Sequence, residues 1–168
     1  MYYFEKFPVG RVFGLGQCTV SEEEIVAFGT CYGPQPFHAD GVAAADSIYG
    51  GLIASGVHTM TPYIRLFVDG LLSDSASLGS PGIDELRWPT PKHPGDTLRA
   101  RYTAASSRES RSHPEWGIVQ GLAIGENQDS VSAITMSVTN FITRWLSAKG
   151  SEALRSGVPG VSMCGVYV

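Results

Sequence analysis

The sequence predicts an α+β domain in which one long buried helix precedes a run of antiparallel strands. Residues 52–72 carry apolar side chains at helical spacing and few charges, which is typical of a helix buried over most of its circumference. From residue 82 onward, strand-like segments are separated by short polar or Pro-Gly turns. Helices followed by a separate block of strands are typical of α+β architecture.

The length and composition favour a single domain with a substantial core. The chain has 168 residues, of which 43% are hydrophobic and 17% charged, so we expect much buried surface, including a subunit interface. The domain is expected to span residues 1–146, with a Gly- and Ser-rich C-terminal arm over residues 147–168. A formal net charge of −4 disfavours a general nucleic-acid binder.

The cysteines and the N-terminus favour a reducing cytoplasm. The three cysteines are scattered and form no C-x-x-C pair, which disfavours a disulfide framework or a zinc site. Residues 1–10 contain Glu, Pro and Gly where a signal peptide needs an apolar run. No stretch reaches the ~18 uninterrupted apolar residues of a membrane span. We therefore expect a cytoplasmic protein with no metal ion and no membrane association.

The first third of the chain predicts one strand and one helix. Residues 11–20 have the β-branched and aromatic content of a strand. Ser21 and Glu24 have the spacing of a capping box, and acidic residues follow Ser21 where the positive end of a helix dipole favours them. The helix is expected to end at Pro34 and Pro36.

The second third predicts a short helix and then the long one. Asp40 is placed to cap a short helix over residues 41–46. The long helix is expected to run from Leu52 to about Leu72, with a kink or break caused by Pro62. After a polar loop, strands are expected over residues 82–88, 97–107, 116–125 and 130–145. One long helix wrapped by a curved antiparallel sheet is the hot-dog architecture.

Three sequence blocks carry a family resemblance. They are PQPFHAD at residues 34–40, GGLIASG at 50–56 and RWPTPKHPGDTL at 87–98. Together and in this order they resemble the MaoC-like dehydratase family, which includes the (R)-specific enoyl-CoA hydratases, over roughly residues 11–145. The family pattern is Asp-x-Asn-Pro-x-His-x-Asp; its proline, histidine and last aspartate match the first block, which has Gln in place of Asn.

The resemblance implies reversible hydration of a 2-enoyl-CoA, or dehydration of a 3-hydroxyacyl-CoA. His38 would act as base and acid, since an imidazole changes charge near neutral pH. The family polarises the thioester carbonyl with an amide at the start of the long helix, which implies a substrate-binding role for Gly50, Gly51 and Leu52. Thr61 stands at or near the place of a family serine and keeps its hydroxyl.

One position departs from the family pattern. The family's catalytic aspartate lies five residues before the histidine, where this chain has Gly33. Asp40 or Asp46 would replace the lost carboxylate in one interpretation. In another, the protein is a non-catalytic or regulatory subunit that binds acyl-CoA without turnover. A thioesterase is a third and weaker alternative, because hot-dog thioesterases usually also rely on a carboxylate.

The candidate residues also have structural interpretations, which stay open at the level of sequence. His38 would then be a histidine bonded to backbone, and the two glycines at 50 and 51 would form a tight turn. Thr61 would bond to the preceding helical turn, as helix threonines often do. His58 is expected to pack or to hydrogen-bond within the helix.

The expected partners are an acyl-CoA and a second copy of the chain. Lys92, His93 and Arg99 would either meet the CoA phosphates or form an ordinary solvated edge. A hot-dog sheet usually pairs edge to edge with its twin and places sites between subunits. By this analogy we expect a homodimer or a higher even oligomer.

Overall fold

The computed structural model describes residues 1–145. The predicted C-terminal arm and its boundary at residue 146 lie outside the described residues. The helices are α1 Glu22–Tyr32, α2 Pro36–Ala39, α3 Gly41–Ala45 and α4 Gly56–Phe67, with a 3-10 turn at Phe4–Lys6 and a π-helical turn at Val68–Leu72 after α4. The strands are β1 Val12–Thr19, β2 Ser77–Arg87, β3 Thr97–Glu109, β4 Trp116–Glu126 and β5 Ser132–Thr143.

The five strands form one antiparallel sheet in the order β1-β3-β4-β5-β2, and α4 packs against it. Alternate side chains of β3 are buried toward the helix, as expected for a sheet with one face on the core. From α4, Tyr63 is fully buried and its hydroxyl donates to the carbonyl of Arg101 at 2.7 Å. The predicted α+β class and hot-dog architecture are confirmed.

The predicted caps are confirmed. Ser21 Oγ accepts a hydrogen bond from the Glu24 amide, and the Glu24 carboxylate accepts one from the Ser21 amide, which completes the capping box of α1. Asp40 caps α3 by accepting hydrogen bonds from the amides of Val42 and Ala43 at 2.9 and 3.1 Å. The polar residues before each helix therefore fix where α1 and α3 begin.

The predicted start of the long helix is wrong. Residues 52–55 are not helical, and α4 begins at Gly56, where Ser55 acts as N-cap and its Oγ accepts from the His58 amide at 3.1 Å. The Ile53 and Ala54 amides donate instead to backbone carbonyls outside α4, at 2.9 and 2.8 Å. Helical spacing of apolar side chains extends past the true start because residues 52–54 are also buried.

The predicted polar loop is also partly wrong. Strand β2 begins at Ser77, five residues before the expected start, and pairs with β5 through several register shifts. Gly79 and Gly82 have φ angles of +107° and +151°, which side-chain-bearing residues rarely adopt. These two glycines form the irregularities that let the strand stay paired with β5.

Within residues 1–145, none of the helices has the length and apolar character needed to cross a membrane. Cys18 and Cys31 are both free thiols.

Candidate active site

His38 is a buried histidine whose ring orientation is set by the backbone. It lies in α2, with 8% of its surface exposed, and its Nδ1 lies 2.8 Å from the carbonyl oxygen of Ile53. Because a carbonyl only accepts, Nδ1 carries the proton and Nε2 carries the lone pair. Nε2 has no partner among the described residues and is not sealed from solvent. The fixed tautomer is the one that a general base requires.

The non-helical segment 52–55 connects His38 to the start of α4. The Ile53 amide donates to the carbonyl of Phe37 at 2.9 Å, and the Ile53 carbonyl accepts from the His38 ring. Both backbone groups of Ile53 are therefore bonded to the Phe37–His38 pair. The Ala54 amide donates to the carbonyl of Lys92 at 2.8 Å. Gly56 stands three positions after Ile53, which places their Cα atoms within roughly 10 Å even for a fully extended chain.

The N-terminus of α4 presents two amides without a hydrogen-bond partner among residues 1–145. Ser55 satisfies two donors of the first turn: its Oγ accepts from the His58 amide, and its carbonyl accepts from the Thr59 amide at 2.8 Å. The amides of Gly56 and Val57 have no partner among the described residues, as expected for the first positions of a helix. They point along the positive end of the helix dipole, where a developing negative charge is stabilised.

Trp88 covers this helix end. A Cβ at Gly56 would lie 2.6 Å from the Cε2 atom of Trp88, so the indole rests directly on the glycine. Trp88 is 44% exposed, so it lies on Gly56 while keeping part of its surface in solvent. No local sequence pattern marks the contact of this tryptophan with Gly56.

Gly29 of α1 allows the His38 backbone to pack closely. A side-chain carbon at Gly29 would overlap the carbonyl oxygen of His38, so no other residue fits without movement of the backbone. The contact joins positions nine residues apart across the Pro-rich bend, which no local pattern reveals.

His58 is the second imidazole near the site, as expected a packed residue. Its ring stacks on Phe28 of α1 with centroids 4.5 Å apart and an angle of 5° between the planes. It is 9% exposed, and its Nδ1 is sealed from solvent without a hydrogen-bond partner. Burial lowers the pKa of His58 below 6.5; Lys92 and His38 lower it further, whereas Glu24 raises it.

Lys92 is buried, which contradicts its expected place on a solvated edge. Its Nζ donates to the carbonyl of Asp96 at 2.8 Å, and burial lowers its pKa, opposed by Cys18 and Asp96. The backbone carbonyl of Lys92 also accepts the hydrogen bond from the Ala54 amide. It stabilises the segment that leads into α4.

Three of the predicted substrate-binding residues, Gly50, Gly51 and Leu52, were expected at the helix start but lie before it. Gly50 has a φ of +67° and its amide donates to Ser47 at 3.0 Å, which is a tight turn, and Gly51 follows it. Leu52 is 6% exposed and packs in an apolar cluster with α1 and α3. Thr61 is exposed and its hydroxyl donates to the carbonyl of Val57 at 3.0 Å. Substrate binding by these residues stays a prediction, and the position of the α4 N-terminus does not support it.

Gly33 ends α1 in an open position. Its φ of −168° is extended backbone that any residue adopts, and a Cβ placed there meets no heavy atom within 4 Å. A side chain at this position therefore has room.

Comparison with known proteins decides the family. The model of the MaoC-like domain matches residues 6–125. The chain belongs to the MaoC-like dehydratase family. The MaoC-like protein is similar to a solved MaoC-like dehydratase from Rhodospirillum rubrum, with 35% identity, 86% of this chain and 98% of that chain covered, and a TM-score of 0.79.

Two other proteins show how far the similarity extends. YdeM, an uncharacterized protein of Bacillus subtilis, is 26% identical over 141 residues, which covers 83% of the MaoC-like protein and 98% of YdeM. The (R)-hydratase of A. caviae involved in PHA biosynthesis is 21% identical, with 81% and 97% of the two chains covered and a TM-score of 0.64. At that identity, the likeness to the (R)-hydratase shows the shared hot-dog fold.

Proposed function

We propose that the MaoC-like protein is a hydro-lyase that adds water reversibly to a 2-enoyl-CoA to give the 3-hydroxyacyl-CoA. The observation that carries this proposal is the tautomer of His38. Its Nδ1–H is committed to Ile53 at 2.8 Å, and its Nε2 lone pair stays available within a short chain distance of free helix amides. A base next to an oxyanion site is what thioester hydration requires.

The reaction follows from these two groups. Nε2 of His38 takes a proton from water while the water oxygen bonds to C3 of the enoyl thioester. The electron pair of the C2–C3 double bond moves toward the thioester oxygen, which accepts hydrogen bonds from the amides of Gly56 and Val57. The imidazolium of His38 then returns the proton to C2, and the neutral base is restored. Dehydration is the same sequence reversed.

Because Gly33 replaces the catalytic aspartate of the family pattern, the expected hydration rate is lower than that of an enzyme with both the aspartate and the histidine. In the resembled hydratases an aspartate shares the activation of water with the histidine. One positioned general base typically contributes ~10²–10⁴-fold, so His38 alone is expected to support slow turnover. Asp40 is not a free substitute, because its carboxylate caps α3 through the amides of Val42 and Ala43.

The second candidate function is an acyl-CoA-binding subunit without turnover, which Gly33 favours. In that case the free amides of α4 would bind the thioester, and His38 would serve as a buried structural residue.

The proposed assembly is a homodimer, or a higher even oligomer, formed through β2. This strand lies at one edge of the sheet and is exposed along almost its whole length. An exposed edge of eleven residues presents unpaired backbone groups to a second strand. We expect a second copy to pair there and the acyl chain to lie between subunits. The free thiols Cys18 and Cys31 suit a reducing cytoplasm.

An absorbance assay with crotonyl-CoA distinguishes the hydro-lyase from the acyl-CoA-binding subunit and from a thioesterase. Hydration removes the absorbance of the conjugated thioester, so we expect a slow decrease that depends on protein concentration, with no release of free CoA. Saturable binding of crotonyl-CoA with no change in absorbance would replace the hydro-lyase proposal with the binding subunit. Release of free thiol would indicate a thioesterase instead.

A further inference from the structure

One ring nitrogen of His58, Nδ1, is buried without a hydrogen-bond partner in the part of the chain that the structure describes. The ring packs face to face on Phe28, as an apolar ring would, yet its Nδ1 is sealed without a partner. An unpaired buried polar atom costs free energy that a phenylalanine at the same place would not. Within the described residues, the other ring nitrogen, Nε2, is not sealed. The histidine therefore keeps one nitrogen toward solvent at a cost to stability.

The burial of Nδ1 indicates which ring nitrogen of His58 carries the proton. A buried N–H without an acceptor is the rarer of the two unpaired states, so the lone pair is expected at Nδ1 and the proton at Nε2. This is the reverse of His38, whose proton is on Nδ1 because Ile53 accepts it. The two imidazoles thus differ in chemistry: His38 offers a lone pair and His58 offers an N–H donor.

The position of His58 in α4 places this donor at the helix start. His58 is the third residue of α4, and Cα–Cβ bonds in a helix tilt toward the N-terminus, where the free amides of Gly56 and Val57 lie. Both imidazoles also meet the same turn of α1, since Phe28 stacks on His58 and Gly29 packs against His38.

The surroundings of His58 favour its neutral form. Burial is the main cause that lowers the pKa of His58, Glu24 on α1 opposes it, and Lys92 and His38 lower the pKa further. The positive end of the helix dipole acts in the same direction as burial. A neutral imidazole at a helix N-terminus donates a hydrogen bond to a carbonyl without losing its proton.

We propose that His58 is a further catalytic residue, whose neutral Nε2–H donates to the thioester oxygen beside the amides of Gly56 and Val57. This proposal rests on the proposed hydration of an enoyl thioester. Its role differs from that of His38, because His58 stabilises charge on oxygen and moves no proton.

Two variants separate catalysis from packing. His58→Phe keeps the stack on Phe28 and removes both nitrogens; His58→Gln places an amide N–H near the position of Nε2. We expect His58→Phe to lower kcat about 10²-fold, as for loss of one oxyanion donor, with KM little changed and an equal or higher Tm. His58→Gln should recover part of that loss. Turnover by His58→Phe within twofold of the native protein would overturn the proposal.

Histidine ¹⁵N NMR tests the same proposal independently of turnover. In the free protein, the signals lost in His58→Phe should show a neutral Nε2–H tautomer near neutral pH, and crotonyl-CoA should shift the Nε2 resonance. An Nδ1–H tautomer, or no shift at saturating crotonyl-CoA, would overturn the role of His58. Failure of hydration by the native protein, with the Nε2 shift present, would instead remove the hydro-lyase proposal and leave His58 as a thioester-binding donor.

Discussion

The Nδ1–H of His38 donates to the carbonyl oxygen of Ile53 at 2.8 Å, across fifteen residues of sequence. The amide of Ile53 in turn donates to Phe37, the residue before His38. These two bonds fix both the tautomer of the imidazole and the path of the chain into α4. One backbone position therefore aligns the proposed base with the proposed oxyanion site.

Gly33→Asp is expected to raise hydratase activity. The position has open space and an unstrained backbone, and a carboxylate there would supply the group that the family pattern has and this chain lacks. We expect kcat for crotonyl-CoA to increase by about 10-fold or more. Gly33→Asn is the matched control, because it has the same shape without the charge. Equal rates for the two variants would show that the site is arranged differently from the family pattern.

Gly29→Ala is expected to destabilise the fold and to reduce activity. The added methyl group overlaps the His38 carbonyl, and a backbone atom moves less readily than a flexible side chain. Overpacking of this kind costs about 1–3 kcal/mol in the free energy of unfolding, more than the helix propensity gained. Urea unfolding measures the difference. Gly33→Ala meets no neighbour and should stay close to the native stability; equal stabilities for the two alanine variants would contradict the close contact.

Stability is expected to fall as the pH drops below neutral, in part because of His58. Its pKa is lowered from 6.5 in the folded protein, so between the two pKa values the unfolded chain binds more protons. The contribution of His58 to this pH dependence of the unfolding free energy is therefore fully present above pH 6.5. It is lost as the pH falls toward the pKa of His58 in the folded protein. His58→Phe should reduce this slope in urea unfolding from pH 7 down to pH 5, and raise stability at pH 7 by about 1–3 kcal/mol. An unchanged slope would show that the buried imidazole is not the source.

Charges on β2 are expected to break the proposed dimer. Leu78 and Ile83 are 48% and 38% exposed on the edge strand, so replacing both with Asp should give monomers in sedimentation velocity. Leu122→Asp is the control, since Leu122 is 43% exposed but lies on the central strand β4. A native protein that sediments as a monomer would count against the interface altogether.

The sequence predicted the parts of the fold that local chemistry determines. Ser21 with Glu24, and Asp40 ahead of the 41–46 helix, mark helix starts because their side chains bond the first amides directly. The start of α4 was not predicted correctly, because Leu52 is buried in a non-helical segment and its apolar side chain is equally typical of a buried helix.

The site was predicted only where a motif marks it. His38 stands in a recognisable block, whereas the residues that position it come from distant segments. Ile53 acts through its backbone, which carries no sequence signal, and Gly29 and Trp88 act through contacts that only the folded chain creates. Gly50 and Gly51 were assigned to the helix end because α4 was expected to begin four residues too early.

The most direct test of the central claim is the hydration rate of crotonyl-CoA with the native protein and with His38→Asn. An asparagine amide at this position can still donate to the Ile53 carbonyl, so the fold should be kept while the Nε2 base is lost. We expect measurable turnover by the native protein and a decrease in kcat of about 10²-fold or more in the variant, with Tm nearly unchanged. Equal rates for the two proteins would contradict the assignment of His38 as the base.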